Sequence, residues 1–271
     1  MAKHLLLLFF SVQFLLGVQA QQARHIPIST AAGLGAYSQK PLTAFGAASN
    51  LASTAYYTQA GGGILAEKRF NITELTNSYA NIFIPIKKMG TLGAAANFIG
   101  DATFNETNLQ LHYARKLGSQ AAIGVGFNYY NIIATGYLKA STLNATISAV
   151  VHLSPLVTVG VQAAQIVPST FGINKTEKLA NIMQIGIGYT PSTNFYCSGE
   201  LVKEEDYPLY AVIKFRYKPI DKLALQAGIS THNNNYNFGV SFVTNKLDVL
   251  VGLGYQARLG SSPTLAVGYF K

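Results

Sequence analysis

At 271 residues with a net charge of +9, the chain is long enough for one large domain. Only 11% of its residues are charged while 49% are hydrophobic, far below the roughly 25% charged residues of ordinary soluble domains. Its one cysteine, Cys197, excludes a disulfide framework and any multi-cysteine metal site. No cofactor is expected.

Residues 1–20 read as a secretory signal peptide. Lys3 supplies the positive end, Leu5 to Phe10 and Phe14 to Leu16 the apolar stretch, and Val18-Gln19-Ala20 a small-residue cleavage ending. The apolar stretch is too short, and too soon followed by Gln21 and Gln22, for a spanning helix, and no later run reaches the required ~20 residues. Residues 21–62 are rich in Ala, Gly, Ser and Thr, and within them 43–59 suit a short helix or compact coil.

From there on the chain alternates. In 105–130, Leu109, Leu111 and Tyr113 oppose Asn108, Gln110 and His112. After a short basic, Gly-containing link, Ile123, Val125, Phe127 and Tyr129 oppose Gly124, Gly126, Asn128 and Tyr130. Period-two alternation means strands with one apolar face, and the short link makes the pair a hairpin. The same pattern predicts strands at 63–70, 78–86, 91–100, 105–115, 121–131, 143–153 and 157–166. It predicts seven more at 182–190, 194–202, 210–217, 223–230, 236–243, 247–256 and 264–270. Each is near the ~9–11 residues that a tilted strand needs to cross a bilayer. Scarce charge with repeated amphipathic strands predicts an all-β fold: a transmembrane antiparallel up-and-down barrel of about fourteen strands, spanning 63–271. A soluble β-sandwich is the competing architecture, and it would need more charge on its solvent face.

Short links (87–90, 116–120, 154–155, 191–193, 219–222, 244–246) alternate with variable ones (71–77, 101–104, 132–142, 167–181, 203–209, 231–235, 257–263). Periplasmic turns and extracellular loops alternate in this way in outer-membrane barrels, which places the protein in the bacterial outer membrane. Its expected partners are then lipid, lipopolysaccharide and the barrel-assembly machinery. Export and lipid-facing strands argue against nucleic acid despite the basic balance. A barrel of this size leaves a lumen that must be wet or filled. Gly124, Gly186 and Gly252, with Gly93, Ala95, Gly160, Gly228 and Gly239, suggest that something packs inside. Residues 21–62 could fill it as an N-terminal hatch, the alternative being a loose periplasmic tail.

Gln110 and His112 are expected to line the lumen, with His112 hydrogen-bonded to water or to the hatch. Glu200 and Lys214 lie almost symmetrically about Tyr207-Pro208, so hairpin register is expected to set them opposite each other inside, with Arg216 two residues along. A structural ion pair and an electrostatic constriction for a solute both fit. Lys203 to Asp206 is read as a solvated loop cap. No Ser/His/acid arrangement suggests hydrolysis, so an enzyme is not expected.

The segments 83–93, 111–117 and 186–189 and the closing Gly268-Tyr269-Phe270 resemble the PorV/PorQ group of outer-membrane proteins of Bacteroidota, which is related in architecture to the FadL transporters. The resemblance implies a fourteen-stranded barrel with an N-terminal hatch. It also implies one of two roles: an accessory or shuttle in type IX protein secretion, contacting secretion-system proteins, or a channel for hydrophobic small molecules.

Overall fold

The computed structural model describes residues 32–168, 170–171, 177–205 and 207–271. The expected signal peptide, residues 21–31 of the expected hatch and Asp206 lie outside the described residues.

The first seven strands are β1 (Gly61–Lys68), β2 (Thr76–Ile86), β3 (Gly90–Gly100), β4 (Phe104–Leu117), β5 (Ala121–Ala134), β6 (Leu138–His152) and β7 (Val157–Ala164). A small ribbon, β8 (Thr170–Phe171) with β9 (Glu177–Lys178), sits in the following loop. Then come β10 (Ile182–Ser192), β11 (Phe195–Glu204), β12 (Tyr210–Ile220), β13 (Leu223–Ser230), β14 (Asn235–Val243), β15 (Leu247–Gln256) and β16 (Gly260–Phe270). Apart from the ribbon, every strand pairs antiparallel with its sequence neighbours, and β1 closes on β16 from Gly61↔Phe270 to Glu67↔Thr264. The fold is a closed fourteen-strand up-and-down β-barrel. Closure satisfies the backbone groups that open sheet edges would leave bare in lipid.

The alternation sorts the wall into two faces. Leu111, Phe127 and Leu143 stand 66%, 71% and 70% exposed on the outside, whereas Asn128, Thr146 and Ser148 are buried inside. Hydrocarbon suits that outer face, and water does not.

Chain entry at Gly61, chain exit at Phe270 and the turns such as 87–89 and 193–194 lie at one end, here the terminus end. The opposite, loop end corrects one expectation. Residues 132–142 are not a variable loop: β5 runs to Ala134 and β6 starts at Leu138, leaving only 135–137 between them. Links 101–103 and 257–259 are equally brief and 231–234 is one residue longer, so the loop end owes its length chiefly to 69–75 and 165–181. Leu179, from the latter, packs on Tyr130, Ile132 and Ala140 at the barrel mouth.

Residues 32–57 lie inside the barrel. Two short 3-10 turns, Gly46–Ala48 and Leu51–Tyr56, form a compact plug, the second capped by the Asn50 side chain accepting from Ala52 N at 3.0 Å. Tyr37, Ala44, Asn50, Ala52 and Thr54 have no exposed surface. Full burial of a side chain such as Leu51 contributes about 1.5–3 kcal/mol, which helps to offset the entropy of ordering the segment.

Candidate functional site

The plug fills the terminus-end half of the lumen because the wall there has small inward residues. At Gly186 and Gly188 a Cβ atom would stand 2.2 Å from the Tyr37 ring and 2.0 Å from the Tyr37 carbonyl, and at Gly124 it would stand 2.7 Å from Ala52 N. Only glycine lets the two backbones approach so closely. Other inward glycines serve the wall itself: Gly93 makes room for the His112 ring, Gly228 for Asn237 and Gly239 for Leu250.

Polar contacts fix the plug where apolar packing alone would let it slide. Asn50 Nδ2 donates to the carbonyls of Ala149 and Val161 at 3.3 and 3.1 Å, Leu51 N to Gln162 Oε1 at 3.0 Å, and Ala52 N to Ser148 Oγ at 2.9 Å. On the far side Asn81 Nδ2 donates to Ala44 O at 2.7 Å. Below, Tyr57 stacks on Phe83 with ring centroids 4.0 Å apart and donates to Thr43 O at 2.9 Å. Burial pushes the Tyr57 phenol well above its ordinary pKa and keeps it a donor.

Lys214 is the principal charged anchor. Its Nζ donates to Glu200 Oε1 and Ser49 Oγ, each at 2.9 Å, and to Ala32 O at 3.3 Å. Glu200 Oε2 accepts from Gln184 Nε2 at 2.8 Å, and the same amide donates to Tyr37 Oη at 3.2 Å. The expected cross-strand register needs correction: Glu200 faces Val212 and Lys214 faces Ser198, so the ion pair is diagonal. Arg216 does not join it. It reaches Asp248 on β15 at 3.1 Å, three strands away. Glu204, expected to be solvated, is 1% exposed and accepts from Tyr210 Oη at 3.3 Å.

The remaining expected site residues separate by height. Gln110 donates to Asn128 Oδ1 at 2.7 Å and lines a chamber on the loop side of the plug. His112 sits deeper, 4% exposed. Its ring nitrogens have no hydrogen-bond partner among the described residues, so of the two expected partners, water or the hatch, the described part of the hatch supplies none. Ser49, Gln184, Tyr37 and Asp248 were not singled out from the sequence. For Asp248 a signal existed, since it is an acid at an inward position of a strand whose outward positions are all apolar.

On the outside, small residues of β1 to β3, among them Gly62, Ala80, Ala94 and Ala96, floor an apolar depression walled by Ile82, Leu109, Leu111 and Phe127. Among the described residues no group of three or more His, Cys, Asp or Glu could hold a metal.

An apolar outer belt, a closed wall and a plugged lumen define a transmembrane β-barrel of the hatch-bearing kind. Among solved structures the chain is similar to the Pseudomonas putida toluene transporter TodX, with a TM-score of 0.65 at 10% identity, covering 93% of this chain and 99% of that one. It is similar to a Pseudomonas aeruginosa FadL homologue, with a TM-score of 0.63 at 9% identity over 88% and 96% of the two chains. The CymD monoaromatic hydrocarbon channel matches with a TM-score of 0.63 at 10% identity, over 89% of this chain and 95% of that one. No protein-family model matches the sequence, and no curated relative does. At these identities the likeness is one of fold, and the fold is FadL-like.

Proposed function

We propose that the protein is a non-enzymatic channel of the bacterial outer membrane that admits small, largely apolar molecules, with residues 32–57 as the hatch that keeps the lumen shut. The observation that carries this reading is the plug itself. An N-terminal segment is held inside a fourteen-strand barrel by a handful of hydrogen bonds and one buried ammonium. Such a segment can shift without opening the wall. The solved structures of like fold support the solute class, since two are named for toluene or monoaromatic hydrocarbons. Lipid is the partner that the outer belt suits, and lipopolysaccharide that of its loop-end half.

The secretion role implied by the PorV/PorQ resemblance gains no support from the plug or from these structures, so the channel reading takes precedence. Uptake of a labelled monoaromatic by cells with an intact outer membrane tests it. Cells carrying the protein take up the label faster than cells lacking it, and equal rates in both would remove the proposal.

A further inference from the structure

The lumen on the loop side of the plug is not lined as a hydrocarbon path would be. A chamber of about 80 Å³ is floored by Ala47 and Ala48 of the plug. Six carboxamides surround it: Asn97, Asn108, Gln110, Asn128, Gln162 and Gln165. Among the described residues no charged side chain lines this lobe. Tyr79, Ala95 and Ile182 supply apolar wall between the amides.

Several of these amides satisfy one another or the plug. Gln110 donates to Asn128, Asn128 donates to Thr146 Oγ1 at 2.9 Å, and Gln162 accepts from Leu51 N. Three do not. The side-chain oxygens of Asn97, Asn108 and Gln165 are buried with no hydrogen-bond partner among the described residues, and Gln165 is only 6% exposed. Buried polar atoms are rarely left so in a folded protein, because each then carries its desolvation cost unrelieved. A carboxamide offers an acceptor and two donors, so whichever way each amide is turned it can engage a hydroxyl.

A second lobe of about 150 Å³ adjoins the first, with Ala48, Gln162, Ala164 and Ile182 lining both. A cavity of about that volume takes benzene when its walls are apolar. Glu200, Glu204, Lys214 and His232 line this lobe, two acids against one ammonium and one imidazole, with Glu200 already paired to Lys214, so an anionic guest finds no surplus of positive charge there.

Resting on the channel reading, we infer that the chamber above the plug is a selectivity site for small neutral molecules that join an apolar body to a hydroxyl, such as phenols and short alcohols, in preference to hydrocarbons and carboxylates. The apolar wall takes the body, and the unpaired amides take the hydroxyl. A hydrocarbon would leave those oxygens unsatisfied, and a carboxylate would face the two acids of the second lobe.

Phenol, toluene and benzoate, matched in ring and size, decide it. Each is titrated calorimetrically into the purified full-length protein in detergent, against a micelle blank. Phenol binds about tenfold more tightly than either of the others, as one hydrogen bond donated to a buried and otherwise unsatisfied oxygen allows. The N97L/N108L variant, its folded state checked by heat-modifiable electrophoretic mobility, loses that preference. Toluene or benzoate binding as tightly as phenol would overturn the inference, as would a folded variant that keeps the preference. Should the variant not fold, the comparison on the unaltered protein still decides. Toluene uptake by cells without any phenol preference in binding would remove this site and leave the channel standing. Phenol-selective binding without uptake would do the reverse.

Discussion

Lys214 Nζ lies 2.9 Å from Glu200 Oε1 although the strand register sets neither residue opposite the other. The diagonal leaves the ammonium free to reach Ser49 at the same distance, so one buried cation fastens both wall and plug. Removing one partner of a buried pair leaves a bare charge. K214M is therefore expected to destabilise the folded barrel by about 3–5 kcal/mol. K214M/E200Q, which removes both charges, recovers most of that loss. Urea unfolding in lipid vesicles measures the three proteins. A K214M loss no larger than that of the double variant would mean that the pair supports nothing.

Glycine at 188 is required by the plug and not by the strand. A Cβ there meets the Tyr37 backbone at 2.0 Å, whereas at Gly254 the nearest atom is 3.4 Å away. G188V is expected to displace residues 32–57 and expose them to protease, while G254A leaves them protected. Both barrels stay closed, because neither change touches the strand hydrogen bonds. Time courses of limited proteolysis separate the two outcomes.

The two faces of β4 make opposite predictions at adjacent positions. Leu111 is 66% exposed on the outside and His112 is 4% exposed inside. L111K places a charge against hydrocarbon and should cost about 2–4 kcal/mol at mid-depth. Folding into bilayers measures it, and a neutral L111K would place that face in water.

Asp101, in the turn between β3 and β4, accepts from the amides of Phe104 and Thr103 at 2.9 and 2.8 Å. Those hydrogen bonds, Phe104 first, hold its carboxyl below the ordinary aspartate pKa. A depressed folded-state pKa contributes to stability above the unfolded value, and the contribution is lost as pH falls through the folded value. Amide exchange at Thr103 and Phe104, corrected for its intrinsic pH dependence, should stay protected from neutrality down through the ordinary aspartate range and loosen only below it. In D101A the protection is absent at every pH.

The fourteen strands were legible because each spells its two faces in adjacent residues, and register follows wherever a turn is short. What failed has physical causes. The start of β6, at Lys139 to Thr142, reads as loop because it lies near the loop end, where the apolar face no longer has to meet hydrocarbon. Arg216 does lie two residues along the inward face from Lys214, but its partner Asp248 is three strands distant and was not foreseen, since local spacing speaks only for adjacent strands. Glu204 looked solvated beside Lys203 and Glu205, yet strand parity turns it inward. The inward glycines did announce a filled lumen, but not that Tyr37 is the residue which most needs them. The unpaired amides of the chamber were not legible at all, since Asn and Gln on an inward face look the same whether or not they find partners.

Whether the plug closes the barrel is read directly by single-channel recording in planar bilayers. Deleting residues 32–57 should convert a barrel with little steady conductance into one with a large and stable conductance. Identical traces from the deleted and the full-length protein would contradict it.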